Sequence, residues 1–290
     1  MENFPYPPGA GGVKWVSTDW LEEHLNAGLT IIDAQPDMHD YIDEHVPGAA
    51  YLSEKLFRAP LKGVPNQYVC PEVFESVVRN IGLKTDQPAI VYTSAGNFKV
   101  QGDGYEQYVV AYTLLRFGHN KVYILDGGLD KWKGEGKTLT KVFPEPIVSK
   151  FKAKVNSDHF LEYEDFKAVK DRKDVIHLDT RVSRHYEGEG PWIKLGHIPG
   201  AINLPWTDLM DENNRRLLKP MTEIRSAIDK KGIKPEKMVI CSCGSGRSAS
   251  LSFAVLKWYL CYPSVRLYEG SFTEWTCHPE NPTVMGRSPR

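Results

Sequence analysis

No stretch of this 290-residue chain is apolar enough, for long enough, to cross a bilayer as a helix. The opening residues, MENFPYPPGAGG, lack the basic and hydrophobic regions of a secretory signal. With both features missing, a cytoplasmic protein is expected. A surplus of charge is missing too. Lys and Arg number 36 against 37 Asp and Glu, a formal net charge of -1, so neither nucleic acid nor membrane is expected as a partner. Cysteine is scarce. Cys70, Cys241, Cys243, Cys261 and Cys277 are odd in number and scattered through a long chain. That excludes a disulfide framework and fits a reducing compartment, where a thiol is available for chemistry. Cys241 and Cys243 form a single Cys-x-Cys with no second cluster, which falls short of a structural zinc site. No metal is expected.

The length allows two domains of ordinary size. In the first half, Leu29–Asp33, Ala89–Thr93 and Lys121–Leu125 read as short buried strands. Pro71–Ile81 and Gln107–Phe117 read as helices, the second closed by Gly118. The second half repeats the alternation. Val175–Asp179, Met238–Ser242 and Val265–Tyr268 are its strands, and Leu251–Leu260 is a helix. Strand alternating with helix predicts an α/β fold with a mainly parallel sheet flanked by helices, once in each half. The halves also match piece by piece. IIDAQ at Asp33 answers HLDTR at Asp179, EHVPGAAYL answers GHIPGAINL, and LDGGLDKW answers YEGSFTEW. The organisation that follows is a first domain over 1–140, a Lys- and Pro-rich linker over 141–157, and a second domain over 158–290.

The chemistry concentrates in VICSCGSGRSAS, Val239–Ser250. A strand runs into a Gly-rich turn, and a helix begins near Ser248. Successive backbone N–H groups of such a turn converge on one point, and the following helix aims the positive end of its dipole there. A thiolate or an oxyanion is stabilised at that point. Gly244 and Gly246 let the chain curl, Ser245 and Ser248 flank it, and Arg247 adds a fixed charge. Cys243 opens the turn and is the expected nucleophile. Cys241 belongs to the strand before it, and the other three cysteines have no comparable setting.

These features resemble the tandem sulfurtransferases of the rhodanese family. The resemblance runs from about Val16 to Trp275, and three pieces carry it. They are the paired H-[VI]-P-G-A segments at His45 and His197, the paired LDGG and YEGS segments leading to Trp132 and Trp275, and the loop from Cys243 to Ser248. It implies two rhodanese-like domains of which the first is an inactive copy, since its strand ends at Thr93 and Ser94 without a cysteine. It implies double displacement through a covalent persulfide on Cys243, with no bound cofactor. The partners it implies are a small anionic sulfur donor and a thiol or cyanide acceptor, thioredoxin or a sulfur-carrier protein among them. Arg181, Arg184, Lys194 and Arg247 are the candidate donor-binding residues. His45 and His197 occur in both copies, so a structural role is expected of them.

The donor divides the family. Cys-Gly-Ser-Gly is similar to the 3-mercaptopyruvate sulfurtransferases, but those enzymes bind the substrate carboxylate with two arginines before the H-I-P-G segment. Here one is displaced, at Arg184, and Lys194 is a poor substitute for the other. Thiosulfate is therefore the expected donor and thiosulfate sulfurtransferase the expected activity, with 3-mercaptopyruvate as the alternative. A second enzyme class also fits one motif. Counted from Cys241, the loop satisfies C-x5-R-S, the phosphate-wrapping pattern of cysteine-dependent phosphatases, with Arg247 as the clamp. Lastly, the long Ser94–Gly104 segment stands where the second copy has its chemical loop, and Lys99 or Gln101 would touch the donor if it reached the site.

Overall fold

The structure, a computed structural model, describes residues 11–98 and 102–289. The expectation for Lys99 and Gln101 falls outside the described residues. The strands in chain order are β1 (Val13–Val16), β2 (Thr30–Asp33), β3 (Ala50–Tyr51), β4 (Arg58–Leu61), β5 (Val64–Tyr68), β6 (Ala89–Tyr92), β7 (Val122–Leu125), β8 (Phe160–Leu161), β9 (Val175–Asp179), β10 (Ile202–Asn203), β11 (Met238–Ser242) and β12 (Val265–Tyr268). One five-stranded sheet has the order β1-β7-β6-β2-β3, and a second has the order β10-β9-β11-β12-β8. Read from opposite ends these are the same order, and the strand pairs are parallel in both. β4 and β5 pair with each other as a separate ribbon.

The chain divides into two compact units. The first unit consists of the described residues up to Arg58, Tyr68–Asn156 and Asp211–Leu218. The second consists of Ala59–Gln67, Ser157–Met210 and the residues from Lys219 on. Each half of the sequence therefore lends a short segment to the other half's unit. In the first unit Leu218 N–H donates to the Asp126 carboxylate at 2.9 Å, and Arg216 pairs with Asp130 at 3.1 Å.

Every residue of β2, β6 and β9 is buried, as expected where helices cover both faces of a parallel sheet. In the first unit Trp20, Ile31, Ile90, Leu125 and Trp132 build a common core; in the second, Phe166, Ile240, Tyr268, Phe272 and Trp275 do. The two repeated tryptophans play one part. Trp132 Nε1 donates to Thr138 O and Trp275 Nε1 to Pro282 O, fastening the chain that leaves the last helix of each copy. The repeated histidines also match. His45 is stacked on Tyr41 and His197 on Tyr186, with centroids 4.1 and 3.6 Å apart. Both rings place each nitrogen against a backbone carbonyl, so they tie loops together.

The expected helices form at Pro71–Asn80 and Glu106–Arg116, and Gly118 takes the left-handed turn (φ +92) that closes the second. The helix expected from Leu251 starts earlier, at Arg247, directly after Gly246 at φ +77. It runs α-helically to Ala254 and finishes as a π-helical turn, Val255–Tyr259.

Candidate active site

β11 lies between β9 and β12, at the point where the chain's path across the second sheet reverses. In an open parallel sheet the crevice at the carboxyl ends of such strands is where ligands bind. Cys243 is the first residue past β11, and the turn Gly244-Ser245-Gly246 leads into the helix Arg247–Ala254. Cys243, the glycine turn and the helix N-terminus thus follow one another directly in the chain.

The loop is held from several sides. Cys243 N–H donates to Ser271 Oγ at 3.1 Å, and Ser271 Oγ–H donates to Tyr268 O at 2.9 Å. Phe272 N–H donates to Cys243 O at 3.0 Å and Thr273 N–H to Gly244 O at 2.9 Å. Thr273 Oγ–H adds a second bond to Gly244 O at 2.7 Å. Asn66, in the middle of β5, belongs to this unit and donates from Nδ2 to Ser245 O at 3.0 Å. Ser248 Oγ meets Thr180 Oγ1 at 3.2 Å. These bonds fix the backbone of the turn.

Two residues in the loop's frame have backbones that favour glycine. Ser271 has φ +52 and Asn66 φ +63. A serine in the left-handed region costs about 1 kcal/mol or more, and here its hydroxyl accepts from the backbone N–H of Cys243.

Cys241 and Cys243 are both buried, at 0% and 2% exposed, but only Cys241 lies inside the strand. Cys241 sits inside β11 opposite Leu178 and Leu267, is completely buried, and has its thiol pushed well up by burial. A buried thiol inside the strand, two residues before Cys243 and the glycine turn, is poorly placed to act as the phosphatase nucleophile. Next to it, His177 bonds Ser242 Oγ at 2.7 Å, and burial drives its pKa down to about 3. It is a neutral, structural ring.

The four candidate binding residues are placed differently from one another. Arg247 is half-buried and opens the helix behind the turn. Arg181 is 4% exposed and forms a buried ion pair with Asp179 at 2.5 Å. It also donates to Gly196 O at 2.8 Å and stacks on Phe272 and Trp192, while its Nη1 has no partner. Arg184 is exposed. Lys194 donates from Nζ to Pro279 O at 2.6 Å and Asn281 O at 2.5 Å, holding the chain after the last helix. The residues that the sequence alone did not single out are Asn66, Trp192, Ser271 and Thr273. Trp192 Nε1 donates to Thr273 Oγ1 at 3.0 Å, and the ring lies against Gly244. Only Ser271 had a usable signal, as the YEGS counterpart of the LDGG segment.

A rhodanese-like domain model matches residues 17–135 and again residues 162–278. The chain belongs to the rhodanese family. It is a tandem two-domain member, related to the thiosulfate and 3-mercaptopyruvate sulfurtransferases. A Synechococcus elongatus relative, named provisionally as a thiosulfate sulfurtransferase, is 34% identical over 273 residues, covering 91% of this chain and 83% of that one. The 3-mercaptopyruvate sulfurtransferase of Escherichia coli K12 is 30% identical over 283 residues, covering 92% and 96%. A solved Escherichia coli structure described as a 3-mercaptopyruvate sulfotransferase superposes with a TM-score of 0.76 at 29% identity, covering 89% of this chain and 98% of that one. Rhodanese-family sulfurtransferases carry sulfur as a covalent cysteine persulfide and not on a bound cofactor, and this chain is a sulfurtransferase of that kind. Among the described residues no helix is long and apolar enough to cross a membrane.

Proposed function

We propose that the protein moves sulfane sulfur from thiosulfate to cyanide or a thiol through a persulfide on Cys243. The observation that carries this is the position of Cys243 between the end of β11 and the glycine turn, with the helix N-terminus directly behind it. Cys243 thiolate attacks the outer sulfur of thiosulfate. The bond between the two donor sulfurs breaks, and sulfite leaves with the electron pair. The acceptor then attacks the terminal persulfide sulfur and regenerates the thiolate; cyanide leaves as thiocyanate. Loop N–H groups offset the negative charge at each stage, with Arg247 drawing the anionic donor in. Gly244, Ser245, Gly246 and Ser248 supply the turn's backbone and its anchor at Thr180.

Thiosulfate is preferred as donor because a carboxylate clamp is poorly equipped. Lys194 is committed to two carbonyls, Arg184 is exposed, and most of Arg181's donors serve Asp179 and Gly196. 3-Mercaptopyruvate remains the second reading, favoured by the Cys-Gly-Ser-Gly start of the loop. Cyanide-dependent thiocyanate formation with each donor separates them. A kcat/KM for thiosulfate above that for 3-mercaptopyruvate supports the first reading, and the reverse order replaces it with the second. A cytoplasmic setting with thioredoxin or a sulfur-carrier protein as acceptor belongs to the same proposal.

A further inference from the structure

Gly244, the residue after the nucleophile, is packed against an indole. A Cβ built on it would lie 2.4 Å from Cζ2 of Trp192, closer than any real contact. The indole is not free to swing away. Its Nε1 donates to Thr273 Oγ1, and that hydroxyl in turn donates to Gly244 O at 2.7 Å, so ring and loop share one hydrogen-bonded post. Phe272 and His185 meet the ring edge-on at 5.6 and 5.5 Å, and the Arg181 guanidinium lies 4.7 Å from its centroid. Arg181 is itself immobilised by Asp179. Yet Trp192 is only half-buried, so part of a large rigid ring stays uncovered beside the reactive turn. An aromatic side chain held on four sides and bare on the remainder forms a wall.

We propose that Trp192 is a specificity-determining residue, closing the flank of the loop at Gly244 and restricting Cys243 to compact sulfane donors such as thiosulfate over donors that carry a carbon chain, such as 3-mercaptopyruvate. The proposal rests on the thiosulfate reading and explains it sterically. The space that a side chain at 244 would take is filled by indole, which leaves backbone N–H groups and Arg247 to hold a small inorganic anion. A donor with a three-carbon body needs room that the ring occupies. The wall also holds Arg181 by stacking, which keeps that guanidinium from turning to a carboxylate.

The test is the ratio of kcat/KM for 3-mercaptopyruvate to that for thiosulfate, measured for the wild type, Trp192→Ala, Trp192→Phe, Gly244→Ala and the Trp192→Ala/Gly244→Ala pair. A ratio is read because general damage to the loop slows both donors together. Trp192→Ala is expected to raise it about 10-fold or more, the scale on which pocket shape discriminates, and Trp192→Phe by less. Gly244→Ala alone should lose most persulfide formation from thiosulfate, and the double variant should recover part of it. If Trp192→Ala does not fold, Trp192→Phe and the Gly244→Ala arm decide. A ratio unmoved in the folded Trp192 variants, or a Gly244→Ala protein equal to wild type, overturns the proposal. Failure of the wild type to take sulfur from either donor is visible without any variant, and it removes the underlying reading as well.

Discussion

The two units share one sheet order, one tryptophan post and one histidine–tyrosine stack, but they differ where the central strand ends. Leu129 N–H donates to Thr93 O at 2.9 Å as Phe272 N–H donates to Cys243 O, so Thr93 occupies in the first unit the position of Cys243 in the second. There the turn is filled from within. Ala95 N–H donates to the Asp130 carboxylate at 3.1 Å, Gly96 N–H to Ser94 Oγ at 3.0 Å, and Asn97 N–H to Asp40 at 2.6 Å. In the second unit the residue matching Asp130 is Thr273, whose hydroxyl donates to a loop carbonyl, that of Gly244. The strand-end pair differs as well. Asp179 has Arg181 two residues on, whereas Asp33 has Gln35, and burial without an arginine pushes the Asp33 carboxyl up to about 7. Duplication preserved the frame, and a few residues decide how the turn after the central strand is bonded.

The largest effect should come from exchanging the nucleophiles. Cys243→Ser should reduce thiocyanate formation to background, and adding Thr93→Cys should not restore it, because Asp130 and Ser94 already hold the N–H groups of that turn. Recovery by the added cysteine would break the comparison.

Arg181→Gln copies the first unit's pair into the second. It leaves Asp179 buried without its cation and is expected to destabilise the protein by about 3–5 kcal/mol in denaturant unfolding, more than surface arginine replacements such as Arg184→Gln. Asp33 sharpens the same contrast by pH. Its folded pKa lies above the unfolded value, so its contribution is full below about pH 4 and is lost as pH rises through about 7. Thermal unfolding of the wild type should show this decline, worth up to roughly 4 kcal/mol, and Asp33→Asn should flatten it.

A smaller effect is expected at Gly128, the counterpart of Ser271. A Cβ there would meet Thr93 O at 2.4 Å, with φ at +60. Gly128→Ser should cost about 1–3 kcal/mol in chemical unfolding, although the second unit carries serine at that place.

Much of this was legible in the sequence. Runs such as VIHLD and MVICS are short and largely apolar, as strands of a covered parallel sheet are, and Gly244 and Gly246 mark the turn after Cys243. The two-residue strands β3, β8 and β10 were not legible, because so short a segment has no period. Neither was the commitment of Lys194 to Pro279 and Asn281, since its bonds span more than 80 residues. The placement of Asn66 against Ser245 depends on a segment from one half of the chain joining the other half's unit. The role of Thr273 comes from the approach of the last helix to the loop, which no local pattern encodes.

The most direct test is the intact mass of the protein after brief exposure to thiosulfate, for the wild type, Cys243→Ser and Cys241→Ser. The account predicts a gain of one sulfur atom in the wild type and in Cys241→Ser, absent from Cys243→Ser and discharged by cyanide. A gain that persists in Cys243→Ser, or no gain in the wild type, would contradict it.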